Sequence, residues 1–90
     1  MARYLIESSH KPEECLQAID EELAKGKDVL AKMEFGCKTG DHTGYALIDA
    51  TSEIDALNKY VPNFIRDKAR VIEVSTFTPE MVKSFHSKAA

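Results

Sequence analysis

The sequence predicts a small α+β domain in the order strand, helix, strand, strand, helix, strand, closed by one further helix. Four β-favouring runs support this, near residues 4–8, 29–37, 43–50 and 70–77. Two amphipathic segments with helix-start chemistry lie between them, and Gly or Pro stands wherever the pattern changes. Ninety residues make one domain, spanning residues 1–90.

Tyr4 to Ser8 is a short strand. Lys11-Pro12-Glu13-Glu14 opens a helix, since Pro suits the first helical position and acids suit the positive end of the macrodipole. Leu16, Ile19 and Leu23 form its expected inward stripe, and Gly26 is its stop. Val29 to Cys37 reads as the second strand, with Met33, Phe35 and Cys37 on one side and Lys32, Glu34 and Gly36 on the other. Lys38-Thr39-Gly40-Asp41 is a turn cluster, and Thr43 to Ala50 is the third strand. Within that hairpin Phe35 is expected to face the helices beside Gly44.

Ser52 caps a second helix that carries Ile54, Leu57 and Val61 inward and ends at Pro62. Arg70 to Phe77 is the fourth strand, rich in Val, Ile and Thr, and Thr78-Pro79-Glu80 starts the last helix. Two right-handed split β-α-β units then give a ferredoxin-like β-α-β-β-α-β antiparallel sheet with helices on one face. The other face must be wet or meet a partner.

A chain of this length buries only about 60–65% of the surface its unfolded form exposes, so association is a ready source of further burial. A homodimer is expected. Charged residues of both signs are interspersed and the net charge is −3, which leaves no electrostatic footprint for nucleic acid or an anionic membrane. The opening Met1-Ala2-Arg3-Tyr4-Leu5-Ile6-Glu7 has neither the apolar length of a membrane span nor the pattern of a signal peptide. A cytoplasmic location with reduced cysteines is the expectation, and a Cys15–Cys37 disulfide is the alternative in an oxidising compartment.

The runs Tyr4-Leu5-Ile6-Glu7-Ser8 and Gly44-Tyr45-Ala46-Leu47-Ile48-Asp49-Ala50 resemble the small GYD-type domains of the dimeric α+β barrel superfamily. Muconolactone-isomerase-like proteins and small cofactor-free monooxygenases share that architecture. Where the GYD pattern has Asp after Gly-Tyr, this chain has Ala46. The resemblance implies a fold and a dimer, and it implies no particular reaction.

In the expected topology one sheet edge gathers His10, Cys15, Cys37, His42 and the basic Arg66, Lys68 and Arg70. A four-residue hairpin loop would set Cys37 opposite His42, with Cβ atoms about 4.5–5.5 Å apart. His10 approaches from the adjacent strand end, and Cys15 or an acid can complete a set of four. Thiolate with imidazole suits zinc, nickel, iron or copper and disfavours magnesium and calcium.

The competing reading is a small-molecule pocket. There Arg70, with Arg66 and Lys68, would hold a carboxylate or phosphate while His10 or His42 acts as general base. With such a pocket, the superfamily resemblance would imply a cofactor-free isomerase or monooxygenase acting on a small organic molecule, an anionic one if the basic cluster takes part. The plainest reading makes the cysteines small buried hydrophobes and the basic cluster a solvated loop. Cys15 in a first helical turn gains from the macrodipole, but Glu13 and Glu14 oppose it, so nucleophilic cysteine chemistry is disfavoured. Glu7, Asp49 and Glu73 with Tyr45 would line the far sheet face, and His86 is given no role.

Overall fold

The computed structural model describes residues 1–89. Its centre is the antiparallel pair of β1 (Ala2–Ser9) and β3 (Thr43–Ala50), joined through eight residue pairs from Ala2 opposite Ala50 to Ser9 opposite Thr43. β4 (Ala69–Val74) lies outside β1, and β2 (Glu34–Phe35) lies outside β3. The strand order is β2-β3-β1-β4, and each neighbouring pair is antiparallel.

Strand alternation divides the sheet into two faces. Tyr4, Ile6 and Ser8 of β1 share one face with Ala46, Ile48 and Ala50 of β3, and all six are buried. α1 (Cys15–Lys25), α2 (Lys27–Lys32) and α3 (Glu53–Tyr60) cover that face and supply Ala18, Val29, Ala56 and Tyr60 to the core. Val61 and Ile65, in the segment after α3, complete it. The open face carries Leu5, Leu47 and Ile72 side by side, with Tyr45, Glu7 and Arg70 around them.

Several elements follow the sequence closely. Ser52 caps α3, its Oγ accepting from the Asp55 amide at 3.0 Å. Thr78 caps α4 (Pro79–Ala89), its Oγ1 accepting from the Met81 amide at 3.2 Å. Phe35 stands opposite Gly44 on the helix side, and a Cβ on Gly44 would come within 2.9 Å of the Phe35 ring.

Other elements depart from expectation. Residues 29–37 are not one strand: α2 occupies Lys27–Lys32, and β2 has only two residues. Gly26, at φ 144°, ends α1 and lets a second helix start at once. Asp28 in the first turn and Lys32 in the last suit the macrodipole, and Val29 and Met33 are buried four residues apart. The expected stripe of α1 is also rotated. Leu16 is 70% exposed and Leu23 is exposed, while Ala18 and Glu22 are buried. Ala18 has no bulk to hold the helix off the sheet. In α3, Ile54 is exposed while Ala56 and Tyr60 turn inward. β4 stops at Val74, so Phe77 is exposed.

α4 stands away from this body. Residues 79–87 are all exposed, and the molecule measures 54 Å along its long axis. Its radius of gyration is 16.1 Å, against about 12 Å for a compact chain of this length. Among the described residues, no helix is long and apolar enough to cross a membrane.

Glu22 is the anomaly of the core. It is 1% exposed, and neither carboxylate oxygen has a hydrogen-bond partner. Burial raises its pKa to about 7, against a smaller opposing effect of Lys25. The folded state therefore holds the Glu22 proton more tightly than the unfolded chain does. Its contribution to stability is intact at pH 4 and is lost as pH rises through about 7. Glu22→Gln should leave urea stability at pH 4.5 nearly unchanged. It should raise stability at pH 8 by roughly 1–2 kcal/mol, seen as a flatter pH profile of the unfolding midpoint.

Candidate metal centre

Four segments converge at one end of the helix-covered face. The β1–β3 pairing continues one step beyond Ser9 and Thr43, because the His10 amide donates to the His42 carbonyl at 3.0 Å. His10 and His42 are thus cross-strand neighbours, with ring centroids 5.7 Å apart in an edge-to-face arrangement. Along β1 the inward residues run Tyr4, Ile6, Ser8, His10, so the core becomes polar toward this end.

Cys15 arrives from the helix layer. A single 3-10 turn, Pro12–Glu14, links β1 to α1, and Glu14 Oε1 accepts from the Lys11 amide at 2.8 Å. α1 then opens on Cys15, which shares an i, i+3, i+7 stripe with the buried Ala18 and Glu22. The rotation that exposes Leu16 and Leu23 therefore turns Cys15 toward the sheet.

Cys37 comes from the β2–β3 connection. The ladder stops at Phe35 opposite Gly44, after which Gly36 donates to the Thr43 carbonyl at 3.1 Å and Cys37–Thr39 forms a 3-10 turn. Gly40 closes the turn with φ +92°, a conformation that L side chains rarely adopt. The Asp41 amide returns to the Gly36 carbonyl at 3.0 Å, and the Tyr45 hydroxyl donates to Asp41 Oδ2 at 2.6 Å. That hydrogen bond holds the Asp41 carboxyl below its ordinary pKa and raises that of the phenol.

The result is a cluster of one ligand atom each from His10, Cys15, Cys37 and His42, all within 4.8 Å of one another. Such a set is able to hold a metal ion. Cys37 Sγ lies 3.3 Å from His10 Nε2. Burial, followed by the neighbouring His42, lowers the His10 pKa, with Glu14 opposing, so its ring favours the neutral form that binds metals. Burial and a hydrogen bond with Cys15 push the Cys37 thiol up to about 11, so without an ion it stays protonated at neutral pH. The Nδ1 atoms of both histidines are buried without a hydrogen-bond partner.

The sequence-predicted residues are thus brought together, but not by the expected pairing. His42 lies opposite His10 and not Cys37, since the ladder ends two residues before Cys37. The register of the first and third strands was the signal for this pair. Arg70 is elsewhere: its Nη1 meets Glu7 Oε2 at 3.6 Å on the open face, away from the thiols and imidazoles. Arg66 donates to Asn58 Oδ1 and the Val61 carbonyl, and Lys68 lies 4.0 Å from Glu14. The three basic side chains thus have separate partners.

No family model matches the chain, and comparisons with curated proteins and with solved structures give no match. The chemistry of this cluster accordingly carries the functional reading.

The loop depends on Gly36, because a Cβ there would lie 2.8 Å from the Asp41 carbonyl oxygen. Gly36→Ala should cost about 1–3 kcal/mol in urea unfolding, as overpacking does. Amide chemical-shift changes should concentrate between residues 36 and 43. An unchanged unfolding midpoint would contradict the close approach.

Proposed function

We propose that this chain is a metal-binding protein that holds one divalent transition-metal ion, zinc foremost, through His10, Cys15, Cys37 and His42. The observation that carries this is the set of four ligand atoms within 4.8 Å of one another, contributed by four separate segments. In a tetrahedral zinc site with bonds of about 2.0–2.3 Å, ligand atoms stand about 3.3–3.8 Å apart. The 3.3 Å between Cys37 Sγ and His10 Nε2 already has that spacing. The wider pairs need to draw in by about 1 Å, a shift within reach of the Gly36–Gly40 loop.

Two thiolates and two imidazoles suit zinc or iron, with copper and nickel as softer-site competitors, and disfavour magnesium and calcium. Four protein ligands close the coordination sphere and leave no position for a substrate, so the reading is binding and structural support. The ion would tie the end of β1 to the start of α1, the β2–β3 loop and the start of β3. Because it binds only the assembled site, it would add to the stability of a chain whose own core is small.

Zinc titration followed by calorimetry should give one equivalent per chain. The thiols must lose their protons to bind, so log K should rise by about two per pH unit near neutrality. Cys37→Ser and Cys15→Ser should each weaken binding by two orders of magnitude or so. His86→Ala, on the exposed α4, should not. No binding by the unmodified chain at micromolar zinc would end this reading.

The same reading includes a second copy of the chain. The four-stranded antiparallel order β2-β3-β1-β4 supports a ferredoxin-like sheet, and the open face presents Leu5, Leu47 and Ile72 with Leu47 51% exposed. Pairing of two such faces would give the dimeric α+β barrel that the GYD-type resemblance implies. Sedimentation at low micromolar concentration should give twice the chain mass of 10.1 kDa. Leu47→Glu should return the mass of one chain, and a stable monomer without substitution would refute the pairing.

A further inference from the structure

The two thiols carry an inference that rests on the metal-binding reading and adds its regulation. Cys15 and Cys37 are both free, each is partly exposed to solvent, and their sulfur atoms lie within 4.8 Å of one another. We infer that Cys15 and Cys37 are a redox-sensitive pair whose oxidation by a peroxide to a disulfide ejects the bound ion.

The supports of the two sulfurs differ in a way that permits bond formation. Cys15 is held on the first turn of α1. Cys37 sits on a one-turn 3-10 segment between Gly36 and Gly40, anchored by short-range bonds of the loop itself. Closing to the S–S length of about 2.05 Å is therefore a movement of the loop toward the helix. The partial exposure of both residues admits a small oxidant. The chain has no third thiol to compete.

The step balances with hydrogen peroxide as oxidant. One thiolate sulfur attacks a peroxide oxygen, the O–O bond breaks, and the departing hydroxide takes a proton to leave as water. The sulfenic acid so formed is attacked by the second thiolate, the S–S bond forms, and the S–O bond breaks with a second proton going to the leaving hydroxide. In sum, two thiolates, one hydrogen peroxide and two protons give one disulfide and two waters. The sulfurs lose two electrons and the peroxide gains them. A disulfide sulfur lacks the thiolate charge that binds the ion, and His10 and His42 alone are half a ligand set.

The test is peroxide treatment of the zinc-loaded chain, read by intact mass and by a chromogenic chelator. A mass loss of about 2 Da should accompany release of about one zinc per chain, and dithiothreitol should reverse both. Cys15→Ser should gain oxygen at Cys37 instead of losing 2 Da or so. Zinc retained alongside a Cys15–Cys37 disulfide would overturn the coupling. A metal-free arm keeps the two readings apart. The metal-free native chain should give the Cys15–Cys37 disulfide as a larger share of its oxidised product than the same chain in denaturing urea, whatever its affinity for zinc. Oxygen addition in place of the disulfide there would defeat the pairing alone, whereas failure to bind zinc would defeat the metal reading and the release step with it.

Discussion

The antiparallel register of β1 on β3 is the constraint on which the rest of the molecule depends. Eight pairs set Tyr4 against Ile48 and Ile6 against Ala46 on the helix side, and Leu5 against Leu47 on the other. A slip of one residue would turn every side chain of one strand to the opposite face. It would bring Leu5 and Glu7 into the core and take Ile6 out. It would also separate His10 from His42, because those two are the next pair in the same register. The core and the His10–His42 pair are therefore set by one register, and a slip would disturb both.

The cluster stands at the end of the core where apolar filling runs out. Ser8 Oγ and the Nδ1 atoms of His10 and His42 are buried without partners. Each such atom costs about 1–3 kcal/mol relative to a satisfied one. A short chain has few compensating terms, so a group of orphaned donors and acceptors at one point is expensive unless something satisfies them. An ion shared by the cluster would take one nitrogen of each ring, His10 Nε2 beside Cys37 among them, and would not satisfy Ser8 Oγ. Glu22 differs in kind: it is isolated in the helix layer, and it avoids the cost of a buried charge by retaining its proton.

How much could be read from the sequence follows from which signals were local. The third strand, the Ser52 and Thr78 caps and the approach of Phe35 to Gly44 were legible, because alternation and capping chemistry depend on near neighbours. The convergence of His10, Cys37 and His42 was legible from connectivity alone, since three strand ends must share an edge. Its detail was not, because where the β2–β3 ladder ends is set by the Gly36–Asp41 loop and not by strand propensity. Val29 and Met33 fit both a strand and a helix, and Gly26 was read as a stop when it is also a restart. The face that Arg70 takes was not legible from its strand end: it pairs with Glu7, which alternation assigns to the open side. Glu22 gave no signal, since a glutamate in an amphipathic helix is ordinarily assigned to solvent.

The rotation of α1 joins these points. Two stripes were available to this helix: Leu16, Ile19 and Leu23, or Cys15, Ala18 and Glu22. Hydrophobic burial alone favours the first. The chain takes the second, with a small Ala at the contact and a glutamate in the interior. Of its three members Ala18 and Cys15 suit a buried face and Glu22 does not, and Cys15 is the one brought to the imidazoles and to the second thiol. The energetic loss is borne by Leu16 and Leu23, left at the surface, and by Glu22, whose burial raises its pKa to about 7. The stripe that the helix takes thus places Cys15 beside His10, His42 and Cys37 and leaves Leu16 and Leu23 at the surface. The same rotation adds apolar surface on the helix side to that already present on the open sheet face and on α4.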